Sequence, residues 1–61
     1  MKKIEFADYD LTEKAFEVYS NSDFRFYENN GVYYYSVGSE DEKSELGDMA
    51  AVERFLLEFA E

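Results

Sequence analysis

The chain has no cysteine, no histidine, no proline and no tryptophan in its 61 residues, and only three glycines. Without cysteine there is no disulfide and no thiolate metal centre. Without histidine the commonest transition-metal ligand and the commonest general base are both missing. The serines therefore have no imidazole to activate them. Gly31, Gly38 and Gly47 are too scattered to form a phosphate-cradling loop. No apolar run approaches the ~20 residues of a membrane-spanning helix. The opening Met1-Lys2-Lys3-Ile4-Glu5 carries two cations with no apolar stretch behind them, which is not the pattern of a secretory signal.

Cations are also scarce: six Lys and Arg stand against fifteen Asp and Glu, for a formal net charge of -9. Such a charge repels nucleic acid and anionic lipid, so neither is expected as a direct partner. It also opposes compaction across a small surface. Yet the chain is 20% aromatic, six Phe and six Tyr. Disordered chains are poor in aromatics and rich in proline, so a folded domain is expected. A chain of this length forms one domain, residues 1–61, and buries only ~60% of its unfolded surface. A charge this large on a domain this small suggests a surface selected for what it touches. The expected location is the cytoplasm.

Residues 2–7 alternate, with Lys3 and Glu5 on one side and Ile4 and Phe6 on the other, which reads as a short half-buried strand. Asp10 and Glu13 form a capping-box pair ahead of a helix. Leu11, Ala15, Val18 and Tyr19 would share one stripe of that helix, which is preferred over a strand at 15–20. Asn30-Gly31 is a type I′ hairpin turn between strands at 24–29 and 32–37. The turn dictates the register: Asn29 opposite Val32, Tyr27 opposite Tyr34, Phe26 opposite Tyr35 and Phe24 opposite Val37. One face then holds Phe24, Phe26, Tyr33, Tyr35 and Val37. The other holds Arg25, Tyr27, Val32, Tyr34 and Ser36.

Residues 38–48 read as an acidic connector, part of it a helical turn capped by Ser39. Its carboxylates are Glu40, Asp41, Glu42, Glu45 and Asp48. Asp48 would cap an amphipathic helix over 49–60, whose apolar face carries Met49, Val52, Phe55, Leu56 and Phe59. The expected fold is α+β, in the order β-α-β-β-α, with a three-stranded sheet and both helices on one face.

The acidic connector lacks the alternating oxygen ligands and fixed glycine of a calcium loop, so a solvated charged segment is preferred and no cofactor is expected. Fifteen acids in so short a chain bring carboxylates together by chance, so their proximity does not argue for acid–base catalysis. The Tyr run is more informative. Tyr33 and Tyr35 point to the helix side, whereas Tyr34 stands opposite Tyr27 on a face that the expected helices leave open. That pair is either a contact anchor or an ordinary cross-strand pair. Stacking on nucleic-acid bases needs a basic surround, which Arg25 alone does not provide.

In size and composition the chain resembles the DNA-mimic inhibitors of phages and mobile elements, among them anti-CRISPR proteins, anti-restriction proteins and uracil-DNA glycosylase inhibitors. The hairpin, acidic stretch and terminal helix of residues 24–60 are loosely similar to a strand-and-helix anti-CRISPR fold. The resemblance implies a non-enzymatic protein acting in a bacterial host cell. It would occupy the basic groove of a nucleic-acid-handling protein such as a nuclease or glycosylase. Charge and exposure nominate Glu40, Asp41, Glu42, Glu45 and Asp48 for that contact, with Asp8, Asp10 and Asp23 in addition and Tyr27 and Tyr34 as anchors. The alternative is a homo-oligomeric module, as a homodimer through the Tyr face, or an antitoxin-like accessory protein.

Overall fold

A computed structural model describes residues 1–60. Two helices lie against a four-stranded antiparallel sheet: β1 (Lys2–Ile4), α1 (Glu13–Ser20), β2 (Phe24–Asn29), β3 (Val32–Val37), β4 (Ser44–Gly47) and α2 (Met49–Leu57). The strands follow one another across the sheet in chain order, each antiparallel to its neighbour.

The β2–β3 hairpin has the register that the turn dictates at all six pairs from Asn29–Val32 to Phe24–Val37. Asn30 at φ 53° and Gly31 at φ 83° supply the positive backbone angles a type I′ turn requires. The Glu28 carboxylate closes the turn by accepting from the Gly31 N–H at 2.7 Å.

The sheet has one more strand than the sequence pattern suggests. Ser44–Gly47, read as part of a loop or helical turn, pairs with β3, placing Ser44 opposite Tyr35 and Glu45 opposite Tyr34. The segment contains one apolar side chain, Leu46, and has too few residues to show alternation. It becomes a strand because β3 would otherwise expose an unpaired row of backbone donors and acceptors. The register slips between Tyr33 and Tyr34, so that Gly47, and not Leu46, stands opposite Tyr33. This bulge forces Gly47 to φ 126°, in the range that side chains avoid.

The entry to α1 also differs from expectation. Thr12, and not Asp10, is the N-cap: its Oγ1 accepts from the Ala15 N–H at 3.4 Å. Asp10 instead accepts from the Ala7 N–H at 3.2 Å and closes a separate turn with its own N–H on the Ala7 carbonyl. The expected stripe holds nonetheless, with Leu11 and Ala15 buried and Val18 and Tyr19 packed beside them. Asp48 caps α2 as expected, accepting from the Ala51 N–H at 3.0 Å. That helix ends at Leu57, and Phe59 follows on a turn while still touching Phe24 and Phe55.

Phe6, Leu11, Ala15, Phe26, Val52 and Leu56 form the buried core between helices and sheet. Phe26, fully buried, lies at its centre, with Phe6 at 5.3 Å, Tyr19 at 5.8 Å and Phe55 at 6.2 Å between ring centroids. Edge-to-face and tilted pairs of this kind add stability beyond their buried area. The Tyr19 hydroxyl accepts from the Phe6 N–H at 3.3 Å, tying the chain after β1 to α1. These contacts place both helices on the Phe24/Phe26/Tyr35 face. The opposite face of the sheet carries no helix.

Candidate interaction surfaces

The strand order divides the nominated residues among different regions of the molecule. β2 begins and β3 ends at the same end of the sheet, where the Gly38 N–H donates to the Asp23 carbonyl at 3.0 Å. The 39–43 connection leaves from that end, so Asp23, Glu40, Asp41 and Glu42 lie together there, all exposed. Asp48 follows β4 at the opposite end, beyond the position beside Tyr33, and its carboxylate is engaged in capping α2. Asp8 and Asp10 belong to the turn after β1. Glu45 sits on the uncovered sheet face opposite Tyr34.

That uncovered face is more charged than the hairpin alone suggests. The pairing aligns Lys3, Tyr27, Tyr34 and Glu45 in one row across the four strands. The next row contains Arg25 opposite Ser36. Continuing the register by one residue sets Glu5 beside Arg25 at one edge and Lys43 beside Ser36 at the other. Lys43 is held there: its ammonium lies 4.5 Å from the centroid of the Tyr27 ring and donates to the Asp41 carbonyl at 3.4 Å. A cation over an exposed aromatic ring contributes ~0.5–1 kcal/mol. Three of the six cations, Lys3, Arg25 and Lys43, thus share one face with two tyrosines. Lys3 reaches the Tyr face through the β1–β2 pairing, whereas the place of Lys43 depends on β4. Alternation along Ser44–Gly47 puts Lys43 and Glu45 on one face, and its pairing with β3 sets Glu45 opposite Tyr34.

Ser36 lies beneath these side chains. It is 2% exposed, and its hydroxyl has no hydrogen-bond partner. A buried hydroxyl left unpaired is costly.

Among the described residues, no group of three or more Asp or Glu side chains converges as a metal site. An open groove of about 340 Å³ runs between the end of α1 and the C-terminal turn, lined by Glu17, Val18, Asn21, Phe59 and Ala60. It places one carboxylate beside apolar and amide groups, which is not an acid–base pair. Among the described residues, no helix is long and apolar enough to cross a membrane.

Comparison with known proteins finds no matching family model, no matching curated protein and no matching solved structure.

Proposed function

We propose that this chain is a non-enzymatic binding protein whose acidic end seats in the cationic groove of a nucleic-acid-handling protein and blocks it, as phage-encoded inhibitors do. The observation that carries this reading is the grouping of Asp23, Glu40, Asp41 and Glu42, all exposed, at one end of the sheet. The nearest cation in sequence, Lys43, lies at the border of this group, its ammonium over the Tyr27 ring and on the Asp41 carbonyl, and offsets one of the four charges. DNA presents one negative charge per ~1.7 Å of helix axis, and closely spaced carboxylates on a folded end offer a basic groove a similar density. The net charge of -9 would add long-range steering, which raises association rates and makes them sensitive to salt. Glu45 and the two tyrosines lie around the side of the sheet. They contribute to that contact only if the groove wraps the edge at β4.

The test compares the wild-type chain with the variant D23N/E40Q/D41N/E42Q. Each is immobilised and challenged with bacterial lysate, then eluted by a salt gradient or by duplex DNA. A basic nuclease, glycosylase or similar protein should be retained by the wild type, released by salt and by DNA, and lost from the variant. The variant should keep its circular dichroism spectrum and unfold at the same or a higher temperature, because it loses self-repulsion. A target bound equally by both would refute the acidic-end reading.

A further inference from the structure

We infer that the uncovered sheet face is the interface of a two-fold symmetric homodimer, in which Lys3 of each copy pairs with Glu45 of the other. The inference stands on the charge order across the strands and does not depend on the acidic-end reading. The central row runs Lys3, Tyr27, Tyr34, Glu45: a cation at the β1 edge, two aromatics, an anion at the β4 edge. The adjacent row runs Glu5, Arg25, Ser36, Lys43 by continuation of the same register, but the Lys43 ammonium reaches inward over the Tyr27 ring and is not at the β4 edge.

Consider a second copy laid face to face, related by a two-fold axis parallel to the strands and passing between β2 and β3. Such an axis exchanges the β1 and β4 edges, as an isologous interface requires. Lys3 then meets Glu45 of the other copy. Tyr27 meets the other Tyr34. The Lys3–Glu45 pair is opposite in sign, and the one symmetry operation makes it twice. Face-to-face sheets pack aligned to within about 30°, so the twist of each sheet permits the arrangement.

The size of the face sets the strength. Strands of three, six, six and four residues, ~4.8 Å apart and rising ~3.3 Å per residue, give roughly 300 Å² per copy, or about 600 Å² for the pair. Side-chain relief adds to this flat figure, but the interface remains at the weak end of specific contacts, which lies below ~1,200 Å². Repulsion between two copies of net charge -9 weakens it further. Association is therefore expected only at high chain concentration in 0.15 M salt, where charges are screened beyond ~8 Å. The axis runs along the strands, so both copies present Asp23 and the 40–42 carboxylates at the same end of the dimer. A homodimer therefore doubles the acidic end.

Sedimentation equilibrium up to about 1 mM chain in 0.15 M salt, with the fold checked by circular dichroism, tests the pairing. Wild type should dimerise. Lys3→Glu and Glu45→Lys should each weaken dimerisation at least tenfold, because the symmetry repeats each lost pair. An equimolar mixture of the two single variants should recover a heterodimer, and K3E/E45K a homodimer. The Glu45→Lys variant separates local pairing from bulk charge, since it lowers the net negative charge and would otherwise strengthen association. A wild-type chain monomeric at 1 mM would overturn the inference, as would an E45K chain that dimerises more tightly than wild type. A monomer whose Tyr27 and Tyr34 instead shift on adding a 12-nucleotide oligo(dT) would reassign the face to single-stranded nucleic acid.

Discussion

Substituting Gly47 by alanine isolates the cost of the bulge that joins β4 to the sheet. Gly47 has φ 126°, and a Cβ placed there would meet the Ala51 Cβ at 3.4 Å. The two effects have different magnitudes. A separation of 3.4 Å between carbons is close to the optimal van der Waals distance, so the contact is nearly neutral. The backbone angle is not: a side chain held in a sparsely populated region costs of order 1–3 kcal/mol. A 61-residue domain has roughly 3–9 kcal/mol of stability in total, so the variant should lose a substantial fraction of it. At about 4–8 °C per kcal/mol for domains of this size, Tm should fall by roughly 5–20 °C. The measurement is thermal and urea unfolding of Gly47→Ala, Ala51→Gly and the double variant, followed by circular dichroism. Because the strain lies in the backbone angle, removing the Ala51 methyl should not restore stability in the double variant. An unchanged Tm for Gly47→Ala would refute the positive φ, and with it the register of β4. Recovery in the double variant would show that crowding, and not the backbone, was the cost.

Other substitutions test the remaining features of the fold. Thr12→Ala and Asp48→Ala each remove a helix cap and should cost about 1 kcal/mol in urea unfolding, whereas Asp10→Ala should cost less, because it closes only an exposed turn. If Asp10→Ala proved the more damaging of the first two caps, the start of α1 would have to move. Ser36→Ala removes a buried hydroxyl with no partner, so the single copy should unfold at the same or a higher urea concentration. A loss above about 1 kcal/mol would mean that the hydroxyl is in fact hydrogen-bonded. Leu56→Ala opens a cavity at a fully buried position and should cost about 2–5 kcal/mol, enough to leave much of the chain unfolded at 37 °C. Hydrogen exchange that remained native-like would argue against Leu56 as core.

The elements most legible in the sequence are those specified by local chemistry. The Asn30-Gly31 turn needs two positive φ angles, and few residue pairs accept them, so the turn identifies both strands and all six pairs of the hairpin. Ala15, Val18 and Tyr19 mark α1 because a helix repeats every 3.6 residues whatever surrounds it, while Leu11, ahead of the Thr12 cap, is buried by the loop that leads into the helix. Asp48 marks the start of α2 for a similar reason, as a side chain that satisfies free amides within its own turn. The choice between Asp10 and Thr12 as the first cap was not legible, because both side chains can accept hydrogen bonds and only the path of the loop decides which amide each reaches.

Residues whose placement depends on a distant part of the chain were hidden. Ser44–Gly47 has no strand signature of its own. It is a strand because β3 presents a free edge and because Gly47 tolerates the angle that turns the chain into α2. With that strand come Lys43 over Tyr27, Glu45 beside Tyr34, and a face whose charges are ordered from edge to edge. Composition by itself determined that the chain is acidic, rich in aromatics and without histidine or cysteine, and local patterning determined its hairpin and helices. Only the tertiary structure decided which charges share a surface, since strand pairing, and not sequence distance, brings Lys3 and Glu45 into one row and gathers Asp23 and Glu40–Glu42 at one end of the sheet.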